Sequence, residues 1–114
     1  MRGKPRDRQG ARCPQEQAGV NEDEAPQRRE TYYSGRVQGV GFRYTTRNLA
    51  QDYQVAGFVR NIRDGRVEVV VEGVPTEVER FLAAIQSALG HYIAGIQQNA
   101  LPATGQFHQF EIRF

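Results

Sequence analysis

Residues 31–53 read TYYSGRVQGVGFRYTTRNLAQDY, and this stretch decides the fold class. It begins with an alternating, β-prone segment over residues 31–37, which predicts a strand. The Gly-rich residues 38–41 then predict a turn. Apolar and small residues next recur at helical spacing, on one face of a helix of about three turns. These are Phe42, Thr46, Leu49, Ala50 and Tyr53. The stretch is therefore a strand and a helix joined by a glycine turn.

The sequence after this unit predicts two further strands joined by a short hairpin. Residues 57–63 form the first of them, and residues 66–72 form the second. The pair Asp64-Gly65 between them predicts a two-residue turn of type I′. The valines of residues 66–72 fall on one face and the charged residues on the other, as expected for a strand with one buried face. The valines are Val67, Val69 and Val71, and the charged residues are Arg66, Glu68 and Glu72.

A second helix and two more strands complete the pattern. Pro75 is placed to occupy the first helical position, and Gly90 to end the helix. The expected buried stripe consists of Val78, Phe81, Leu82, Ile85 and Leu89. Residues 93–101 and 107–114 predict strands around a turn at residues 102–105. The element order βαββαβ, with one additional strand, predicts an α+β fold of the ferredoxin-like α/β sandwich type. We expect an antiparallel sheet with both helices on one face.

Composition divides the chain near residue 30. Residues 1–30 contain Met1 and Val20 as their only large apolar residues, so we expect a disordered N-terminal tail there and a globular domain over residues 31–114. The tail carries seven Lys/Arg against six Asp/Glu, and the rest eight against seven. Neither part has a concentrated positive charge, although the pI is about 9.0. Binding of nucleic acid through bulk electrostatics is therefore not expected.

Cysteine and histidine are too few for the common disulfide and metal sites. Cys13 is the only cysteine, and His91 and His108 are the only histidines. No intrachain disulfide and no zinc-ligand spacing is possible with this set, so we expect neither a metal nor a cofactor. No run of 18 apolar residues occurs, and the N-terminus has no apolar segment of signal-peptide length. We expect a cytoplasmic monomer that does not bind a membrane.

The turn that precedes the first helix has the features of an anion site. The first N–H groups of a helix lack intrahelical partners, and the helix dipole favours negative charge there. Gly39 and Gly41 allow close backbone approach, and Arg43 places a planar guanidinium in the first turn. An arginine at this end opposes the helix dipole, and a bound oxyanion would account for it. Taken alone, however, the glycines are equally compatible with a tight turn that has no ligand.

Three better-known interpretations of this segment fail. The dinucleotide-binding fingerprint requires a third glycine where Tyr44 stands. The Walker loop requires a lysine, and residues 31–114 contain none. An RNA-recognition motif requires aromatic residues on the third strand, whereas residues 66–72 read RVEVVVE.

Two segments of the chain resemble the signatures of the acylphosphatase family. Residues 34–43, SGRVQGVGFR, resemble its phosphate-binding signature, and residues 57–61 with 64–68, GFVRN and DGRVE, resemble its second signature. The similarity extends over residues 31–114. It implies a ferredoxin-like fold, which agrees with the element order derived above. It also implies hydrolysis of small acyl phosphates to carboxylate and inorganic phosphate.

The resemblance also implies the roles of individual residues. Arg43 matches the phosphate-binding arginine of the family, and Asn61 matches its water-orienting asparagine. The backbone amides of the loop match its phosphate cradle. These belong to Gln38, Gly39, Val40, Gly41, Phe42 and Arg43. Two positions depart from the family pattern, since Phe58 stands where Trp is frequent and Ile62 where Thr or Leu is frequent.

Two alternatives remain open at this point. A non-catalytic module that binds phosphate or carbamoyl phosphate would need Arg43 and the loop, but not Asn61. A ferredoxin-like interaction or nucleic-acid domain would need neither, and the nearly neutral charge balance argues against it. The sequence favours the enzyme because Asn61 is present. It does not identify the physiological acyl phosphate.

Overall fold

The computed structural model describes residues 25–114. Five strands and two helices follow in the expected order, with a short 3-10 turn at Gly90–Tyr92 after the second helix. The elements are β1 (Gln27–Gly35), α1 (Phe42–Ala50), β2 (Ala56–Asn61), β3 (Val67–Gly73), α2 (Pro75–Leu89), β4 (Ile93–Pro102) and β5 (Phe110–Arg113). In residues 25–114 no helix is long and apolar enough to cross a membrane.

β1 begins earlier than the composition suggested. The expected tail comprised residues 1–30, yet residues 27–30 belong to β1. They pair with residues 70–73 of β3 on one side and 99–102 of β4 on the other. Backbone ladders do not depend on apolar side chains, which is why a boundary drawn from apolar content falls too late. The expected disorder of residues 1–24 concerns a segment outside the described residues.

The sheet has the strand order β4-β1-β3-β2-β5. Three of its four pairings are antiparallel, as expected, but β5 pairs with β2 in parallel. The sheet is therefore mixed. β4 and β5 lie at opposite edges and do not form the two arms of a hairpin around residues 102–105. The connection, residues 103–109, must cross the whole sheet, and this crossing gives β5 its parallel direction.

The main core lies between the helices and one face of the sheet. Pro75 is the first residue of α2, and the predicted apolar stripe of α2 is buried throughout. Val67, Val69 and Val71 of β3 are fully buried in the same cluster. α1 contributes Phe42, whose ring lies 5.3 Å from that of Tyr33. The ferredoxin-like sandwich with both helices on one face is thereby confirmed.

The opposite face of the sheet is also covered, which the sequence did not indicate. Glu68 and Glu72 lie on that face as predicted, but each is only 7% exposed. The connection over residues 103–109 crosses above Glu72, whereas Glu68 accepts hydrogen bonds from Tyr32 and Arg60. Glu72 accepts hydrogen bonds from the Thr104 N–H at 2.9 Å, the Thr104 hydroxyl at 2.8 Å and the Gly105 N–H at 3.0 Å. One carboxylate thus fixes the crossing segment to the central strand.

We expect the replacement Glu72→Gln to destabilise the fold by about 1–2 kcal/mol at pH 7, since charge-assisted hydrogen bonds are lost. Burial alone would raise the pKa of Glu72. The hydrogen bonds from Thr104, Gly105 and Arg28 outweigh it and hold the pKa below its ordinary value of 4.5. The stabilisation is therefore present above pH 4.5 and is lost as the pH falls through the lowered folded-state pKa.

Urea unfolding of wild type and Glu72→Gln at pH 7 and in stronger acid measures this difference. Glu79→Gln is the matched control, because the Glu79 side chain is 68% exposed. We expect the control to change little at any pH. A Glu72→Gln deficit of the same size at both pH values would contradict the expectation.

The β2–β3 connection is a three-residue loop, not the predicted two-residue type I′ turn. The Gly65 N–H donates to the Ile62 carbonyl at 3.0 Å, and the Ile62 N–H donates to the Arg66 carbonyl at 2.8 Å. Gly65 has φ of +99°. A type I turn followed by a left-handed glycine has this hydrogen-bond pattern. A glycine is therefore required at position 65, as predicted, although the turn is of a different type.

Candidate active site

The loop between β1 and α1 is held at both ends and open in the middle. Val37 is fully buried, and the Arg36 N–H donates to the Tyr92 carbonyl at 2.9 Å. Gly39 and Gly41 both have φ of +80°, a left-handed conformation that side-chain-bearing residues rarely adopt. Gly41 is the N-cap of α1 and provides no side-chain cap. The glycines therefore set the path by which the loop enters the helix.

The loop and the start of α1 present a run of free backbone N–H groups. Within residues 25–114, no N–H group of residues 38–43 has an acceptor, and the Thr45 N–H is the first to bond, to the Gly41 carbonyl at 3.0 Å. The first turn of α1 contains no acidic residue. The Phe42 side chain packs into the core, so Phe42 can contact a ligand only through its backbone N–H group. A run of unpaired amides at a helix N-terminus is suited to bind an oxyanion.

We expect Gly41→Ala to weaken phosphate binding about tenfold, which corresponds to one charge-assisted hydrogen bond. The left-handed conformation of Gly41 would strain an alanine, at a cost of about 1 kcal/mol. Isothermal titration with inorganic phosphate measures the affinity. Gly105→Ala is the matched control, because Gly105 has φ of +75° and equally open space at its Cα. If both variants bind phosphate equally well, the cradle is not at Gly41.

The Gln38 side chain joins the loop to the β2–β3 hairpin. Its Nε2 donates to the Ile62 carbonyl at 2.8 Å and to the Arg66 carbonyl at 2.9 Å. The sequence analysis assigned Gln38 only a backbone role and missed this contact. Ile62 takes part through its backbone alone, so the departure from the family pattern at this position leaves these contacts intact.

Arg43 lies at the end of β5 and lacks an acidic partner. One Nη donates to the Arg113 carbonyl at 3.4 Å, and the guanidinium carbon lies 4.7 Å from the centre of the Phe114 ring. Among residues 25–114, no carboxylate lies within 4 Å of it. A guanidinium has five N–H donors, so most of them stay available to a ligand.

Asn61 lies at the same end of the sheet. It is the last residue of β2 and follows Arg60, whose partner in the parallel pairing is Arg113. Arg43 contacts Arg113, and Gln38 contacts the residue directly after Asn61. The structure therefore brings the loop, Arg43 and the Asn61 end of β2 together. Asn61 is half-buried, and its amide has no hydrogen-bond partner in the described part of the chain.

The other polar candidates lie apart from this site. Arg60 forms an ion pair with Glu68 at 2.6 Å on the opposite face of the sheet. His91 and His108 are exposed. Across residues 25–114, no group of three or more His, Cys, Asp and Glu side chains has the arrangement of a metal site. Cys13 lies outside the described residues.

An α/β sandwich with an unsatisfied helix N-terminus and an uncompensated arginine defines a class of small anion-binding domains. Comparison with known proteins specifies the family. Residues 29–112 match the family model described as Acylphosphatase. A relative named acylphosphatase from Syntrophotalea carbinolica is 41% identical over 90 residues, which cover 78% of this chain and 98% of the relative. Another from a Synechococcus strain is 49% identical over 80 residues, 69% and 84% of the two chains.

A solved structure supports the same assignment. The crystal structure of acylphosphatase from Bacillus subtilis superposes with a TM-score of 0.71 at 31% identity, and the match covers 77% of this chain and 99% of that one. The chain belongs to the acylphosphatase family, whose members are hydrolases.

Proposed function

We propose that this acylphosphatase holds the phosphate of a small acyl phosphate on the amides of residues 38–43 and on Arg43, while Asn61 orients the attacking water. The observation that carries the proposal is a run of backbone N–H groups next to an arginine, with no acceptor for the one and no acidic partner for the other among residues 25–114. Both groups supply positive charge where a phosphate has negative oxygens. Asn61 lies at the same end of the sheet with its amide unpartnered.

The reaction requires little beyond positioning and charge stabilisation. A water oxygen forms a bond to phosphorus while the bond from phosphorus to the carboxyl oxygen breaks. The leaving group is a carboxylate, a weak base that departs without a proton. The water proton goes to an oxygen of the phosphate, because the Asn61 amide takes up no proton near neutral pH. Charge-stabilised phosphoryl transfer of this kind gains mainly from fixed donors and alignment.

The geometry provides both contributions. The loop is fixed by Val37, by the Arg36 N–H and by the Gln38 side chain, so its amides require little reorganisation when the anion binds. Arg43 near the helix N-terminus opposes the dipole, at a cost of a few tenths of a kcal/mol. A bound phosphate offsets that cost.

The Asn61 amide can both donate and accept. It can therefore hold a water between the strand end and the phosphate. The Arg43 guanidinium is limited to one region of the site. It stacks against the Phe114 ring and donates a hydrogen bond to the Arg113 carbonyl.

Several finer expectations remain predictions. We expect no metal or other cofactor to be required, and no binding of nucleic acid. A monomer in the cytoplasm also stays a prediction, as does the disorder of residues 1–24.

The first experiment measures phosphate release from benzoyl phosphate by the purified full chain, with EDTA and no added metal. We expect rapid turnover that EDTA leaves unchanged. Turnover lost in EDTA and restored by a divalent cation would refute the metal-free mechanism. A folded protein that binds phosphate without turnover would instead be a non-catalytic phosphate-binding module.

A further inference from the structure

A groove runs along α1 from the candidate active site. It lies between α1 and β5 and has a volume of about 480 Å³. Tyr44, Arg47 and Gln51 line its helix side, and Phe114 lines the end next to Arg43. Phe114 therefore belongs to both places, because its ring also lies against the Arg43 guanidinium. One end of the groove therefore lies next to the guanidinium of Arg43.

Arg47 lines the groove, and its side chain has no hydrogen-bond or ion-pair partner among the described residues. Its Nε is buried and has no hydrogen-bond acceptor in the described part of the chain. No carboxylate among residues 25–114 lies within 4 Å of its guanidinium. The guanidinium carbon lies 5.6 Å from the centre of the Tyr44 ring. A guanidinium has five N–H donors, so the terminal N–H groups of Arg47 can bind an anion in the groove while Nε stays buried.

Glu111 is the one acidic side chain among the described residues that line the groove, and it forms an ion pair. Glu111 accepts a hydrogen bond from Arg113 at 3.0 Å. The Arg113 guanidinium in turn stacks on Phe58, on the sheet face away from the helices. Phe110 and Ile112, which alternate with these two residues, pack against the main core. Glu111 therefore gives little repulsion to an anion placed against α1.

We infer that the groove binds the acyl group of the substrate, and that Arg47 selects acyl phosphates with a second anionic group. The inference rests on the proposed function of Arg43. Residues four apart on a helix have Cβ atoms about 5–6 Å apart on the same face, so Arg43 and Arg47 lie on one face of α1 and can serve two anionic groups of one small ligand. The substrate class is the monoacyl phosphate of a short dicarboxylic acid, or a similar molecule with another terminal anion.

The experiment compares succinyl phosphate with butyryl phosphate, which has a similar length and a neutral tail. We expect wild type to favour succinyl phosphate on the order of tenfold in kcat/KM, chiefly through KM. Arg47→Gln should reduce this ratio towards one, and Arg47→Lys should retain part of it. The wild-type preference should also shrink at high salt, since the groove is open to solvent.

Arg80→Gln is the matched control. Arg80 lies on α2, with its guanidinium carbon 5.5 Å from the Tyr53 ring centre, so the variant loses the same charge and a similar stacking contact away from the groove. We expect its ratio to equal that of wild type. Hydrolysis of both substrates with equal kcat/KM in wild type and Arg47→Gln would overturn the inference and leave the proposed function intact. If wild type hydrolyses neither substrate, the proposed function fails and the inference with it.

Discussion

Replacement of Arg43 by lysine is expected to lower kcat/KM for benzoyl phosphate about a thousandfold, which lies in the range for the loss of an arginine that stabilises a transferred phosphoryl group. Phosphate affinity should fall as well. The guanidinium is a planar fork that can use some N–H groups for the Arg113 carbonyl and others for phosphate oxygens. Lysine carries the same charge at one point and has no plane to stack on Phe114.

Steady-state kinetics and titration with inorganic phosphate test this expectation together. Arg60→Lys is the matched control, because Arg60 also stacks on a phenylalanine, Phe58, and lies one residue before Asn61. Its guanidinium faces Glu68 on the other side of the sheet. The control should keep nearly full activity. A near-normal kcat/KM for Arg43→Lys would exclude the bidentate role, since a simple positive charge would then suffice.

Asn61→Ala should lower the catalytic rate without changing the affinity for phosphate. We expect kcat to fall about a hundredfold or more, because the attacking water loses its orientation, while the affinity for phosphate stays within about twofold. The binding groups lie on other segments, in the loop amides and Arg43. The Asn61 backbone pairs with Val67 and is unaffected by truncation of the side chain. A purely structural role for Asn61 would not separate the two measurements in this way.

Asn99→Ala provides the comparison for Asn61→Ala. Asn99 also lies on a strand, but on the exposed edge strand β4. The Asn99→Ala variant should retain the wild-type kcat, phosphate affinity and melting temperature. Retention of kcat by Asn61→Ala would remove the water-orienting role and would leave catalysis to the loop amides and Arg43.

Local sequence patterns predicted most of the helical layer. The apolar stripe of α2 and the position of Pro75 follow from periodicity and from the missing N–H of proline, which act within a few residues. The placement of β5 could not be predicted from local patterns. It depends on Glu72 binding Thr104 and Gly105, which lie more than 30 residues away in the chain. No local pattern near residue 103 indicates that crossing.

The features of the candidate site were likewise predictable only where they depend on local sequence. The motif around Gly39 and Gly41 predicts an anion site because it determines local backbone conformation. The side-chain role of Gln38, the Phe114 ring beneath Arg43 and the unpaired Nε of Arg47 arise from contacts between distant segments. Only the resemblance to a known family indicated a role for Asn61, since an asparagine before a hairpin is ordinary in a sequence.

The crossing of the sheet by residues 103–109 has a consequence for folding kinetics. β5 reaches β2 only after the chain has passed over the central strands, and this parallel pairing closes a loop of about 50 residues. Contacts of such long sequence separation form slowly. The carbonyl that positions Arg43 belongs to this strand. Catalytic competence should therefore appear only late in refolding, once β5 has paired with β2.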